Sequence, residues 1–201
     1  MTKLAEVPDA FYADDFVLGP ERGLLGRAVD RLRHLLANPR DTWGSHLYVF
    51  RELFEWTGDL ESIVEFGSGE FSTPFLAEHC RELISVETSR RYYNRARELY
   101  PGVTVRFVPA QFMHEFNVIA PWTDLVFVDS DRRFRKILVE WALEQRVPYV
   151  VLHDADKPRL YGYDRVRVPS GYLARVCRVV PKTTVLLTTD TRVGMGVQWK
   201  A

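Results

Sequence analysis

Cysteine is scarce in this chain: Cys80 and Cys177 are the only two. They lie far apart and fit neither a metal-ligand nor a redox spacing, so two reduced, partly buried thiols are expected, in keeping with a reducing cytoplasm. Net charge is absent too, because 27 Lys and Arg balance 27 Asp and Glu. Nothing in that balance calls for a polyanionic partner such as nucleic acid. No apolar run approaches the length that spans a bilayer, and the opening Met-Thr-Lys-Leu-Ala-Glu-Val-Pro-Asp has no apolar signal core. A soluble, cytoplasmic protein without a membrane partner is therefore expected. What is present is 46% hydrophobic and 13% aromatic content over 201 residues, enough for one sizeable core and most simply one domain.

The most informative stretch is Ser62-Ile-Val-Glu-Phe-Gly-Ser-Gly-Glu-Phe-Ser-Thr-Pro-Phe-Leu76. Ile63, Val64 and Phe66 form a short run of strand-forming type, and Gly67 and Gly69 end it. Ser72, Thr73 and Pro74 read as a helix start, with a hydroxyl to cap free N–H groups and proline at the first helical position. Strand, glycine turn and helix together let backbone approach a ligand and offer unpaired N–H groups to a polar or anionic group. A second apolar run, Leu83-Ile-Ser-Val-Glu87, ends in a carboxylate twenty residues beyond Gly67, the distance that places an acid on ribose hydroxyls in a βαβ unit. The dinucleotide fingerprint needs a third glycine, and Ser72 stands at that position. A carboxylate at Glu65, beside the glycines, also suits a cationic amino acid or sulfonium better than a pyrophosphate, which it would repel.

Glu65-Phe-Gly-Ser-Gly69 resembles the first motif of the class I S-adenosylmethionine-dependent methyltransferases, and Ser85-Val-Glu-Thr88 resembles their second. The resemblance implies a Rossmann-like α/β fold: a mostly parallel seven-stranded sheet, helices on both faces, and a C-terminal antiparallel hairpin. It implies S-adenosylmethionine as cofactor, lying across Glu65, Gly67, Ser68, Gly69 and Glu87. In the family the turn after the third strand flanks the adenine, often with an acid. Here Val103-Thr-Val-Arg-Phe-Val108 is the third strand and Gln111 would supply that contact.

Residues 1–41 read as an N-terminal arm followed by an amphipathic helix, in which Leu24, Leu25, Val29, Leu32, Leu35 and Leu36 recur at near-helical spacing until Asn38-Pro39. The α/β domain follows over 42–201. A helix is expected from Thr42 to Trp56, with Trp43, Ser45 and His46 resembling a pocket rim; for His46 a capping or surface role is the alternative. A further helix is expected over Ser89–Tyr100, broken by Pro101-Gly102.

Chemistry is expected where the fourth and fifth strands end. Asp124-Leu-Val-Phe-Val-Asp129 and Pro148-Tyr-Val-Val-Leu-His-Asp154 are apolar runs of the buried parallel type, with a helix between them from about Arg132 to Gln145. In an open α/β sheet the ligand lies beyond the carboxyl ends of the strands, so Gly67, Glu87, Asp129 and Asp154 would share one edge. Asp129, His153 and Asp154 are the candidate catalytic residues, with Asp129 also near the cofactor. They could hold a hard divalent cation such as magnesium, with Asp129 and Asp154 as its ligands, or His153 could serve as general base. Capping of the strand-end loop is the structural alternative for His153 and Asp154. The pair Val128-Asp-Ser-Asp131 and Leu152-His-Asp154 resembles small-molecule and sugar O-methyltransferases, many of which carry a histidine where this chain has Arg132 and Arg133.

The segment from Asp156 to Pro169, with Lys157, Arg159, Tyr161, Tyr163, Arg165 and Arg167, is the candidate substrate loop, its basic residues favouring an anionic or sugar-phosphate acceptor. A short helix is expected within Gly171–Val180, then two strands, Thr183–Thr189 and Val193–Trp199, joined by a tight turn. The resulting reading is methyl transfer to a hydroxyl of a small molecule or sugar, with a homo-oligomer left open. Another nucleotide-cofactor enzyme, or a non-catalytic binding or assembly module on the same fold, are the alternatives.

Overall fold

The computed structural model describes residues 2–3, 46–179 and 182–190. Seven strands form one sheet: β1 (Leu60–Phe66), β2 (Cys80–Glu87), β3 (Thr104–Phe107), β4 (Leu125–Val128), β5 (Tyr149–Leu152), β6 (Leu173–Val179) and β7 (Lys182–Thr188). Their spatial order is β3-β2-β1-β4-β5-β7-β6. The first five run parallel, β7 joins β5 antiparallel, and β6 pairs antiparallel with β7 at the edge. The order reverses at β1, so the loops after β1 and β4 diverge there and leave a crevice at their carboxyl ends.

The central strands are apolar without alternation because both faces are covered. Val126 and Val128 of β4 face one layer with Leu138, Val139, Ala142 and Leu143 of helix α4 (Arg135–Glu144). Leu125 and Phe127 face the other, with Val49, Phe50, Leu53 and Phe54 of helix α1 (His46–Thr57) and Leu76 of helix α2 (Ser72–Glu78). Helix α3 (Arg90–Leu99) buries only Ala96 and ends before Pro101-Gly102, as expected. No helix among the described residues is long and apolar enough to cross a membrane.

Two expectations are corrected. The segment expected to hold a short helix within Gly171–Val180 is strand β6, and it is this strand that forms the terminal hairpin with β7. In β6, Ala174 and Val176 are buried while Arg175 between them is half-exposed, and this two-residue period of an edge strand prevails over any helical pattern. The expected second tail strand, Val193–Trp199, lies outside the described residues, as do the helix over Glu21–Ala37 and the rim residues Trp43 and Ser45. The start of α2 also differs: its N-cap is Phe71, with no side-chain cap, and Pro74 is the third residue of the helix. The hydroxyls of Ser72 and Thr73 are instead drawn to a buried carboxylate, described next.

Candidate active site

The glycine turn after β1 is built over Glu65, which is fully buried. Its Oε1 accepts from Ser72 Oγ at 2.5 Å, and its Oε2 accepts from Thr73 Oγ1 at 2.7 Å and from Ser85 Oγ at 2.6 Å. Burial pushes its carboxyl up to about 7, against the opposing pull of the three hydroxyls. Glu65 thus ties β1, β2 and the start of α2 together beneath the turn, and in this arrangement its hydrogen bonds go to the protein. Gly67 sits at φ +100°, and a Cβ there would come 2.5 Å from the carbonyl oxygen of Asp129, so only glycine lets the turn lie against the end of β4. The N–H of Gly69 donates to Thr73 Oγ1 at 2.9 Å.

Glu87 ends β2 beside this turn. One carboxylate oxygen accepts from the Ser68 N–H at 3.1 Å and the other from the Ser89 N–H at 2.7 Å. Burial raises its pKa, and the backbone N–H groups of Ser89, Thr88 and Ser68 oppose that rise. Ser68 Oγ lies 2.9 Å from Ser85 Oγ. The structure therefore brings Gly67, Ser68, Gly69 and Glu87 into one small unit, with the acid oriented by backbone. Gln111 is exposed on a 3₁₀ turn, Ala110–Phe112, beyond β3.

The ends of β4 and β5 meet around an arginine. Arg135, in the first turn of α4, donates from Nη2 to Asp129 Oδ1 at 2.7 Å, from Nη1 to Asp154 Oδ2 at 3.4 Å and to the His153 carbonyl at 3.0 Å, and from Nε to the Ser130 carbonyl at 2.7 Å. Its guanidinium carbon lies 4.1 Å from the ring centre of Tyr161, whose hydroxyl donates to Asp154 Oδ2 at 3.2 Å. A guanidinium thus stands between the two carboxylates expected to hold magnesium. His153 Nδ1 is 3.1 Å from Asp129 Oδ1 and 3.9 Å from Asp154 Oδ1. Burial would raise the pKa of Asp129, but the hydrogen bond and charge of His153, together with Arg135, hold it below the usual carboxylate range. Asp154 adopts φ +57°, the left-handed region, strained for a non-glycine residue although Asp tolerates it.

Sequence reasoning did not single out Arg135, and one signal was there: a cation in the first turn of a helix opposes the helix dipole and calls for a compensating anion. It also left His46 on a rim. In the structure His46 is 3% exposed, and its ring lies edge-on to that of His153, with centres 4.9 Å apart. The candidate substrate loop forms helix α5 (Pro158–Tyr161), a 3₁₀ turn (Tyr163–Arg165) and a two-residue strand, Arg167–Val168, that pairs with Thr2–Lys3. Its Lys157, Arg159, Arg165 and Arg167 are exposed, whereas Tyr163 is buried with its hydroxyl donating to the His153 carbonyl at 3.3 Å.

A parallel sheet whose order reverses at β1, closed by an antiparallel hairpin, with glycine turn and acids along the carboxyl edge, is the class I methyltransferase fold. Solved structures agree. A protein of Klebsiella pneumoniae assigned as an O-methyltransferase aligns with a TM-score of 0.55 at 19% identity, over 85% of this chain and 92% of its own. The N-methyltransferase NodS of Bradyrhizobium japonicum WM9, in complex with S-adenosyl-L-homocysteine, aligns at 0.50 and 15% identity, over 71% and 84%. A protein of Streptococcus mutans assigned as a methyltransferase, also in complex with S-adenosylhomocysteine, aligns at 0.52 and 10% identity, over 71% and 96%. At these identities the likeness is one of fold. No family model and no curated protein matches the sequence.

Proposed function

We propose that this chain is an S-adenosylmethionine-dependent methyltransferase that acts on a hydroxyl of a small molecule or sugar. The observation that carries the reading is Glu87: a carboxylate at the strand edge beside the glycine turn, fixed through both oxygens by the Ser68 and Ser89 N–H groups. Each oxygen keeps accepting capacity, which is what a ribose diol needs from its partner. Structures in complex with S-adenosylhomocysteine align with this fold, and the residues here fit such a nucleoside.

The methyl group of the cofactor arrives already activated, so the chain's work is to hold and orient the two reactants. Glu87 and the turn Gly67-Ser68-Gly69 bind the nucleoside side, and Glu65 stiffens that turn from beneath. Asp129, His153 and Asp154 stand where the acceptor enters. His153, lying against Asp129, accepts the proton of the acceptor hydroxyl, while Arg135 keeps the two carboxylates from repelling each other. The exposed Lys157, Arg159, Arg165 and Arg167 favour an acceptor with anionic or sugar-phosphate character.

Calorimetric titration with S-adenosylmethionine and S-adenosylhomocysteine, with and without magnesium, tests the cofactor. Micromolar binding is expected. Glu87→Ala should weaken it by roughly 10- to 100-fold, the value of charge-assisted hydrogen bonds to two hydroxyls. Asp154→Asn should leave cofactor affinity unchanged and lower turnover once an acceptor is found. Equal affinity in wild type and Glu87→Ala would sink the assignment of Glu87.

A further inference from the structure

Among the described residues, His46 is a buried side chain with no polar partner. Neither ring nitrogen finds a hydrogen-bond partner among the described residues, although the residue is 3% exposed. An unpartnered imidazole at this depth forfeits hydrogen bonds to water worth about 1–3 kcal/mol and regains none. Its surroundings are Phe50 and Phe127 on one side and His153 on the other. One donor atom each from His46, Asp129 and His153 lie within 4.8 Å of one another.

We propose that His46, Asp129 and His153 form a binding site for one divalent transition-metal ion of the imidazole-preferring kind, zinc or cobalt rather than magnesium. The donor set decides the class: imidazole nitrogen suits zinc, copper, iron and nickel, while magnesium selects oxygen ligands and keeps its waters. Tetrahedral bonds of about 2.0–2.1 Å put neighbouring donors roughly 3.3 Å apart, so the three groups need to close by up to about 1.5 Å, within reach of ring rotations.

Charge permits the ion. Asp129 and Asp154 carry two negative charges against the single positive charge of Arg135, which leaves one negative charge uncompensated beside two imidazoles. Arg135 holds Asp129 through Oδ1, and a carboxylate has further lone pairs for a metal. Access comes from the Asp129 side, whose side chain is 28% exposed. Three protein donors leave a coordination position for an acceptor oxygen, as in catalytic rather than structural zinc sites. An ion there would polarise that oxygen and ease loss of its proton, a route different from the proton acceptance by His153 in the metal-free reading.

This site deepens the proposed function but does not depend on it, because ion binding and cofactor binding are measured separately. The purified full chain is stripped with chelator and titrated with cobalt chloride while visible absorption is recorded, then dialysed against zinc and analysed for metal. Wild type should develop the intense d–d bands of low-coordinate cobalt and retain about one zinc per chain, with excess magnesium displacing neither. His46→Phe, which suits the aromatic neighbours, should lose more than about tenfold in zinc affinity and show no zinc-dependent rise in Tm. His46→Gln serves as the second variant, with folding of both checked by circular dichroism. Absence of d–d bands in the wild type, zinc affinity unchanged in a folded His46 variant, or displacement by magnesium would each overturn the proposal. Unchanged S-adenosylhomocysteine affinity in His46→Phe keeps this outcome distinct from that of the cofactor reading.

Discussion

A buried carboxylate holding three hydroxyls is the residue on which the glycine turn depends, and its chemistry carries a testable sign. Glu65 titrates near 7 in the fold and about 4.3 when unfolded. Its folded pKa is raised, so its favourable contribution is complete below the unfolded value and is lost as pH rises through about 7. The loss is on the order of 3 kcal/mol. Glu65→Gln keeps the volume and can still bond Ser72, Thr73 and Ser85, yet cannot titrate. Urea denaturation of both proteins from pH 4.5 to 8 should show the wild type losing stability relative to the variant across that window, then running parallel above it. Parallel curves throughout would show that Glu65 stays ionised in the fold. From sequence, Glu65 reads as a group facing a cationic ligand because only its neighbours in the chain are visible. Ser85, on the adjacent strand, becomes its partner only through the pairing of Glu65 with Ser85 in the β1–β2 register.

At the scale of elements, the parallel half of the sheet is legible in the sequence and the antiparallel half is less so. Strands β4 and β5 and the second halves of β1 and β2 are largely apolar because helices cover both their faces, and a glycine, an acid or the pair His153-Asp154 marks each boundary. The edge strand β6 carries arginines at 175 and 178, and such a run lacks the apolar continuity that identifies a buried strand. Its partner β7 is legible through Thr183-Thr-Val-Leu-Leu-Thr-Thr189, a β-branched stretch. That strand also holds a flaw. Thr184 is 1% exposed, and its hydroxyl finds no hydrogen-bond partner among the described residues. Valine has nearly the same shape and as strong a preference for strands, and it removes the stranded hydroxyl. Thr184→Val should stabilise the protein by about 1 kcal/mol, seen as a higher denaturation midpoint with an unchanged m-value. A loss of stability would mean that the hydroxyl has a partner after all, such as a buried water.

At the scale of the molecule, Gly67, Glu87, Asp129, His153 and Asp154 all fall at the carboxyl ends of strands, and they do so for a topological reason. Parallel strands joined by helices bring all their ends to one edge, so residues far apart in the chain become neighbours without any local signal of that fact. Strand order was therefore enough to unite Gly67, Glu87, Asp129 and Asp154. It could not reveal that His46, on a helix preceding the first strand, reaches His153, because that meeting depends on how α1 seats against Phe127. In the same sheet β6 lies at the outer margin beyond β7, four strands away from β1. Hydrogen exchange read by mass spectrometry with and without S-adenosylhomocysteine should thus slow in the peptides spanning 66–73 and 87–90, where backbone N–H groups of the turn and of Ser89 are held around Glu87. The peptides spanning 173–179 should exchange unchanged, since β6 is the strand of the sheet farthest from β1 on the β4 side. Protection confined to the hairpin, alongside calorimetric binding, would move the nucleoside site away from Glu87 and the glycine turn, and with it the geometric basis for placing the acceptor at Asp129 and Asp154.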